Sequence, residues 1–589
     1  MTLTEEQEAA ARWRPTDGDT VVVAAAGAGK TTLLVETTRR LIASRPSMEI
    51  VVLTFTAKVG EELRRRLGTV PAAVFVGTMH AYALRQRSTV DRTAWSTKRC
   101  VDLGAKVRSP DVPHKLTLIR RSFTGTGDAK EVQTHLDYWR ARGLTDAEVP
   151  AGCPPVIASG MKVYADLLRT HRAWDFDSCL AAEIAAVRSG STSRIVLVDE
   201  AQDMNRIGFD YVNLLKGRQG ASFLVGDVRQ SVYAFRGAAP DEFDLATSRA
   251  RRFDLTVNFR SQPSIIETAN RVPFPGLPAM NGHRSGAGSV SVWSCAQQED
   301  EDNRIAVDIK RRLDRGEDPN RFAVIARTNG RIAEIRAELE AMDIPVRVRS
   351  GSLFDLREAR ALGAYVILGH GAYPKALIEV LNVPFRGFNF DQATKWLLGQ
   401  RGSGRTTTEL VLGLPTGGAN SKSQLVALLQ SIAAAPTWEA KVDRAGDYLL
   451  SAIRVEKGKK AHERGDMEAG EGAIRAAARV ARTFGRHGAD ALRRFAEFID
   501  REREPPDAST LPAVTLTTAH AAKGLEWSTV FVLASDGEFP HPKGDTEEER
   551  RLFYVAITRA ADELVFVQHG EPSMTLRTVV PTLSTGPTS

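Results

Sequence analysis

The 589-residue chain is 42% hydrophobic and 26% charged, and its 79 Lys and Arg outnumber 72 Asp and Glu for a formal net charge of +7. This is ordinary globular composition, enough for roughly three to five domain-sized units, and the mild basicity fits a polyanion partner without establishing one. The four cysteines, Cys100, Cys153, Cys179 and Cys295, form no C-x-x-C pair, which argues against zinc or iron–sulfur ligation and suits a reducing compartment. The acidic start (Met1–Glu8) is unlike a signal peptide, and no apolar run approaches the roughly 18 residues of a membrane span. The expectation is a soluble intracellular protein without a membrane partner: cytoplasmic in a bacterium or phage host, nuclear or organellar in a eukaryote.

Thr20–Ala26 is a short apolar run that ends in a Gly-rich turn, and Thr31–Ile42 has helical spacing of Leu33, Leu34, Thr37 and Leu41. Strand-like runs follow at Ile50–Phe55 and Ala73–Val76, an alternation that argues for a parallel sheet with crossover helices. From about Leu84 to Asp175 the pattern turns to charged helical segments, and strand-like runs return at Arg194–Val198, Ser222–Val225 and Phe253–Val257. A second α/β stretch opens at Ser289–Trp293 and Phe322–Ile325, breaks from about Leu362 to Pro506, and resumes at Ala513–Thr517 and Thr529–Leu533.

The predicted fold is therefore α/β: two domains, each interrupted by a mainly helical insertion. The first takes residues 1–85 and 185–256 around an insertion at 86–184. The second takes 257–361 and 510–570 around an insertion at 362–509, and 571–589 reads as a disordered Pro/Thr/Ser-rich tail. Arg401–Ser423 and the basic run Arg454–Arg464 read as loops, the latter as a solvated charged face. There is no tandem repeat.

Ala24-Ala-Ala-Gly-Ala-Gly-Lys-Thr31 lies between a strand and a helix. Small residues at Ala26, Gly27, Ala28 and Gly29 let backbone N–H groups curl around phosphate, and the helix start adds its dipole. Lys30 would neutralise the β/γ-phosphates of ATP and the Thr31 hydroxyl would ligate Mg2+. The strict pattern has Gly where this chain has Ala24. Ile195-Val-Leu-Val-Asp-Glu-Ala-Gln-Asp203 supplies the partner: a buried strand delivers Asp199 and Glu200 at its carboxyl end. Asp199 can hold Mg2+ through water while Glu200 activates the attacking water. Acidic residues after a strand can also merely cap a helix, a reading weakened by the phosphate loop.

Together these residues resemble the UvrD/Rep-like superfamily 1A helicases, and further blocks follow in order. They are Thr54-Phe-Thr-Ala-Lys58, Gly77-Thr-Met-His80, Asp175-Phe-Asp-Ser-Cys-Leu180, Gly226-Asp-x-x-Gln-Ser-x-Tyr-x-Phe-Arg-Gly-Ala238, Val257-Asn-Phe-Arg-Ser261, Thr518-Ala-His-Ala-Ala-Lys-Gly-Leu-Glu-Trp527 and Glu547–Ala560. The resemblance implies two RecA-like domains with ATP between them. It implies that Gln230 senses the γ-phosphate, and that Arg260 and Arg559, carried by the second domain, are arginine fingers. Planar guanidinium groups suit the charge spread over the γ-oxygens in phosphoryl transfer. Gln7 would read the adenine edge, Phe259 would stack on the base, and Gly524 and Glu526 would meet the nucleotide, Glu526 at the ribose. Thr32 stands where the family has an Arg beside adenine, which implies looser base selectivity.

The resemblance places Phe55, His80, Tyr233, Phe235, Arg236 and His520 along a single-stranded DNA track, where aromatic stacking and phosphate contacts hold the strand without sequence preference. For Phe55 and Phe235 a core reading stays open as the lesser alternative, and Phe235 replaces a family Trp. The implied activity is ATP-driven 3′→5′ translocation and unwinding at single/double-strand junctions, in repair, replication or recombination. The polarity rests on the family alone. The rivals are a translocase that displaces proteins with little unwinding, the helicase part of a helicase–nuclease, and a non-catalytic nucleic-acid binder. No carboxylate-rich nuclease segment follows Arg559, and intact Lys30, Glu200 and Arg559 argue against a non-catalytic binder. RNA as substrate, the pathway and protein partners stay open. Finally, Asn382-Val-Pro-Phe-Arg-Gly-Phe-Asn389 resembles a family N-x-P-x-R-G-I-G segment whose glycines approach duplex phosphates. Asn389 replaces its last Gly. Asn tolerates a left-handed backbone, so the turn is expected to survive with weakened duplex grip.

Overall fold

The computed structural model describes residues 3–44, 48–104, 107–123, 129–145, 147–188, 193–233, 238, 240–371, 374–381, 383, 387–400, 402–457, 464–502, 511–542 and 544–581. The chain divides into two compact units, residues 1–288 with 544–558, and residues 289–543 with 559–589.

In the first unit six parallel strands lie in the order β3-β2-β4-β5-β1-β6. They are β1 (Thr20–Ala24), β2 (Ile50–Thr54), β3 (Val74–Thr78), β4 (Ile195–Val198), β5 (Ala221–Gly226) and β6 (Arg251–Leu255). β1, β2, β4 and β5 are buried at every position, as runs of Val, Ile and Leu require when helices cover both faces. A small parallel pair, β7 (Val257–Asn258) with β8 (Asn281–Gly282), follows in the same unit. The interruption is helical as expected. The helices Lys115–Ser122, Ala129–Arg140 and Pro155–Thr170 surround a separate core that includes Leu118, Ile119, Leu136, Met161 and Tyr164. The helix Phe176–Arg188 instead turns Leu180, Ile184 and Val187 into the main core. Its start is pinned by Asp175, which lies fully buried and accepts from Arg140 Nη2 at 2.9 Å and from the Tyr164 hydroxyl at 2.9 Å. Burial alone would raise that carboxyl; the Arg140 and Lys115 charges instead hold it well below the usual range.

The second unit repeats the architecture with β9 (Ser289–Cys295), β10 (Phe322–Ala326), β11 (Val346–Val348), β12 (Val514–Thr518), β13 (Trp527–Leu533) and β14 (Ala560–His569), in the parallel order β11-β12-β10-β13-β14-β9. Its insertion holds helices and no strand among the described residues from 357 to 502, around one core that includes Leu362, Tyr365, Leu425, Val442, Ile474 and Phe498.

By packing, residues 257–288 and 544–558 group with the first unit, Arg260 among them. Backbone pairing is the reason: Phe259 N donates to Gly27 O at 3.0 Å and Ala25 N to Leu255 O at 2.9 Å. Three expectations are corrected. Arg401–Ser423 is not a loop, for Thr406 and Glu409 form a capping box on the helix Thr407–Leu412, and a second helix spans Ala419–Ala433. The tail beyond Gly570 forms the helix Met574–Val579, which buries Leu576 and Val579; residues 582–589 of that predicted tail lie outside the described residues. Asn389 is not left-handed: its φ is −75°, and the positive φ of +72° belongs to Gly387. Asn389 Oδ1 accepts from Gln392 N at 3.1 Å and so caps the helix Phe390–Gly399. Asn382, Pro384, Phe385, Arg386 and most of the basic run 454–464 lie outside the described residues.

Candidate nucleotide and nucleic-acid site

Strand order brings the chemistry of the first unit to one edge. All six strands are parallel, so every strand-to-helix turn of β1, β2, β3, β4 and β5 opens at the carboxyl edge of the sheet. β5 lies between β1 and β4, which puts the turn after β5 between the phosphate loop and Asp199-Glu200, with strands about 4.8 Å apart.

The loop after β1 uses left-handed backbone at Gly27 (φ +68°) and Gly29 (φ +74°) before the helix begins at Lys30. A Cβ at Gly27 would stand 3.0 Å from Arg260 Cβ and from Asn258 Nδ2, and one at Gly29 would stand 2.7 Å from Gln7 Nε2. Gln7 is buried and already committed at both ends. Its Oε1 accepts from Thr4 N at 3.1 Å and its Nε2 donates to Ala28 O at 2.9 Å, which leaves each atom one further hydrogen-bonding place. Ala26 and Ala28 are buried; Lys30, Thr31 and Thr32 are half-exposed in the first turn of the helix.

After β4, Asp199 is buried and Glu200 adopts a left-handed backbone (φ 52°, ψ 43°), a strained conformation for a non-glycine residue. Burial, with the Glu200 charge adding to it, pushes Asp199 up to about 7, against the opposing pull of Lys30. Gln202, wholly buried, donates from Nε2 to Glu200 Oε2 at 2.6 Å and accepts at Oε1 from Asp227 N at 2.9 Å. Asp227 in turn accepts from Gln230 Nε2 at 2.7 Å and from Arg229 Nε at 2.8 Å. One hydrogen-bonded chain therefore joins Glu200 to Gln230.

Asn258 fixes the other side. Its Nδ2 donates to Ala26 O at 2.8 Å, and its Oδ1 accepts from Arg260 N and Ser261 N, each at 2.8 Å. Arg260 Nη1 donates to Thr558 O at 2.9 Å, and Phe259 packs on His283 with ring centroids 4.7 Å apart. Asn258, Gln202 and Asp227 escaped the sequence reading as individual residues, although each lies inside a motif it quoted. The available signal was a polar residue fixed between strand and turn, where a buried amide or carboxylate has to find partners.

On the same edge Phe55, 41% exposed, stacks against Tyr233 with centroids 5.3 Å apart and planes 16° apart. His80 packs on Phe176 at 5.6 Å, and its Nε2 is buried without a hydrogen-bond partner among the described residues. Phe235 and Arg236 lie outside the described residues.

In the second unit the predicted residues fall at both ends of the sheet. β12 ends at Thr518, so half-buried His520 is at the carboxyl edge, while exposed Gly524 (φ +80°) and Glu526 lead into the amino end of β13. Arg559, wholly buried, precedes β14 at that amino edge. Its Nη1 donates to Leu525 O at 3.2 Å, and its own carbonyl accepts from Trp527 N at 3.0 Å.

Among the described residues no group of three or more His, Cys, Asp or Glu could hold a metal ion by itself. One buried carboxylate beside a hydroxyl-bearing phosphate loop fits Mg2+, which binds through one or two protein oxygens and completes its shell with water and substrate phosphate. Among the described residues no helix is long and apolar enough to cross a membrane.

A model of the UvrD/REP helicase N-terminal domain matches residues 3–251, and one of the UvrD-like helicase C-terminal domain matches 253–395 and 473–571. The chain is 27% identical to ATP-dependent DNA helicase UvrD1 of Mycobacterium tuberculosis, across 92% of this chain and 79% of that protein. It is 27% identical to DNA helicase II of Escherichia coli, across 92% and 81%. To ATP-dependent DNA helicase PcrA of Staphylococcus epidermidis it is 24% identical, across 95% and 82%.

Proposed function

The chain belongs to the UvrD/Rep-like superfamily 1 helicases, which makes it an ATP-dependent DNA helicase and a hydrolase, and from that premise we propose that it moves 3′→5′ along single-stranded DNA and opens duplex at single/double-strand junctions, in repair, replication or recombination. The observation that supports this reading best is the shared edge of the first sheet. The left-handed phosphate loop, Asp199-Glu200 and Gln230 stand there with the Phe55–Tyr233 stack. Nucleotide state and strand grip thus occupy turns of adjacent strands, and a shift in one turn reaches the other through packed backbone.

In this reading the N–H groups of residues 26–31 and the Lys30 ammonium cradle the phosphates, and Thr31 with Asp199 holds Mg2+. The ion supplies charge neutralisation of the β/γ-oxygens when bound. Glu200 takes a proton from the attacking water, its carboxylate aimed by Gln202. Gln230 contacts the γ-phosphate, and Arg260 and Arg559 stabilise the charge that develops on it. Gln7 uses its remaining hydrogen-bonding places on the adenine edge, with Phe259 on the base, Gly524 at the nucleotide and Glu526 at the ribose. Phe55, His80, Tyr233, Phe235, Arg236 and His520 hold the strand.

A second reading, a translocase that displaces proteins and unwinds little duplex, is favoured by Asn389. Its side chain accepts from Gln392 N and so covers one amide of the helix start, the kind of group that binds phosphate.

The test is ATP turnover measured with single-stranded DNA, duplex DNA and RNA, followed by unwinding of duplexes with 3′ or 5′ tails, with Lys30→Ala as control. Turnover stimulated by single strands and unwinding from 3′ tails alone are expected. Turnover in a folded Lys30→Ala protein, or unwinding from 5′ tails alone, defeats the reading.

A further inference from the structure

Arg229 stands in the segment Gly226-Asp-Val-Arg-Gln230, between Asp227 and the proposed γ-phosphate sensor, and no role was given to it above. Yet it is only 4% exposed, unusual for an arginine in a surface turn. Its Nε, Nη1 and the face of its guanidinium are engaged within the first unit. Nε donates to Asp227 Oδ1 at 2.8 Å, Nη1 donates to Pro278 O at 3.1 Å, and the guanidinium carbon stands 5.6 Å from the centroid of the Tyr554 ring.

The two partners lead to both proposed phosphate contacts. Asp227 gives its other oxygen, Oδ2, to Gln230 Nε2 at 2.7 Å. Tyr554 is buried in the helix Thr546–Ile557, and its hydroxyl meets Met280 Sδ at 3.3 Å. That helix ends on Thr558, whose carbonyl receives Arg260 Nη1 at 2.9 Å, and the next residue in the chain is Arg559. Arg229 thus touches both the carboxylate holding Gln230 and the helix whose last carbonyl holds Arg260.

We propose that Arg229 is a positioning residue for ATP hydrolysis: it seats the helix Thr546–Ile557 against the turn of Gln230, so that the sensor and the Arg260 guanidinium keep one fixed separation. A salt bridge plus a ring contact suits this purpose, since a guanidinium can fork to carboxylate and carbonyl while its face lies on an aromatic. The proposal rests on the roles given above to Gln230 and Arg260. Misplacement of a transition-state contact by about 1 Å costs on the order of a hundredfold in rate without a matching loss of affinity.

The experiment compares DNA-stimulated ATP hydrolysis in Arg229→Met, Tyr554→Leu, Arg260→Ala and the Arg229→Met/Arg260→Ala and Tyr554→Leu/Arg260→Ala doubles, each with its melting curve. Tyr554→Leu leaves the Arg229–Asp227 pair intact, so it carries the test if Arg229→Met does not fold. The expected result is a fall in kcat of about tenfold to a hundredfold in each single variant with KM for ATP nearly unchanged. Added to Arg260→Ala, either change should slow the enzyme by less than about threefold, because coupled residues are not additive. Wild-type kcat in a folded single variant overturns the proposal. So does a loss that multiplies in full with that of Arg260→Ala, or a rise in KM as large as the fall in kcat. Normal turnover in Arg260→Ala alone overturns instead the reading of Arg260, and this proposal with it.

Discussion

Asn258 is the position where one substitution reports on the geometry of the phosphate loop. In Asn258→Ala three hydrogen bonds disappear at once, to Ala26 O, Arg260 N and Ser261 N, at a site with no exposure. A buried hydrogen bond contributes about 1 kcal/mol net, so the loss is about 3 kcal/mol, more if the carbonyl and two amides find no water. A domain of 150–250 residues loses roughly 2–4 °C per kcal/mol, so the first unit, slightly larger, should melt about 6–10 °C lower. Without its tie to Ala26 the loop must be ordered at the moment of binding, so affinity for MgATP should fall by about tenfold, or ~1.4 kcal/mol. Asn258→Asp separates the two effects. It keeps both bonds to Arg260 N and Ser261 N but sets an anionic oxygen against Ala26 O and the phosphates, so it should melt higher than Asn258→Ala and bind ATP worse. The assay is calorimetric melting of the whole chain with and without a fluorescent ATP analogue, beside direct titration of the analogue. An Asn258→Ala protein that melts within about 2 °C of wild type, less than one hydrogen bond's worth, and binds the analogue normally would refute the reasoning.

Glu200→Gln should keep ATP and single-strand binding yet lose hydrolysis by about two orders of magnitude or more. Its amide can turn Oε1 toward Gln202 Nε2, so an unfolded variant or a normal rate would count against the role, by melting and turnover respectively. Asp199, raised from 3.8 to about 7, contributes stability that is complete below pH 3.8 and lost as pH rises through 7. By the same linkage the Mg2+ concentration that half-saturates binding of the ATP analogue should rise by up to about tenfold per unit as pH falls below 7, and Asp199→Asn should flatten the profile; a flat wild-type profile refutes it. Asn389→Gly frees Gln392 N at the cost of a cap, a few tenths of a kcal/mol. Unwinding per ATP on a tailed duplex should then rise, and an unchanged or lower ratio removes Asn389 as the limit on duplex engagement.

What was legible in the sequence was what is local. A phosphate loop needs glycine where φ is positive and a helix start within a few residues, so Gly27, Gly29 and Lys30 declare themselves. A fully buried parallel strand is a run of Val, Ile and Leu, and Ile195–Val198 delivers Asp199 by its length alone. β14 was missed because it opens on Ala-Ala-Asp-Glu, whose polar residues hide the apolar Leu564–Val567 that follows. The helix Thr407–Leu412 was hidden by its own cap, since Thr and Gly serve turns and helix ends equally well.

The remaining losses have a single physical cause, the distance along the chain between partners. Asn258 and Ala26 are 232 residues apart, and Arg260 and Thr558 are 298 apart. No periodicity or propensity couples such positions, so the sequence divided the domains at residue 256, where a strand ends. By packing, residues 257–288 group with the first unit, where Phe259 N donates to Gly27 O, although the C-terminal-domain family match begins at 253. That difference bears on function. Since Arg260 shares a unit with Lys30 and Gln230, its place relative to the proposed phosphate site is set by side chains such as Asn258 within that unit. Arg559 belongs to the second unit, where Leu525 O rather than Asn258 holds its guanidinium. Arg559→Ala should therefore weaken the dependence of turnover on single-stranded DNA, whereas Asn258→Ala should weaken nucleotide binding with or without DNA. If both variants lose DNA stimulation to the same degree, the division of labour between the two arginines is wrong.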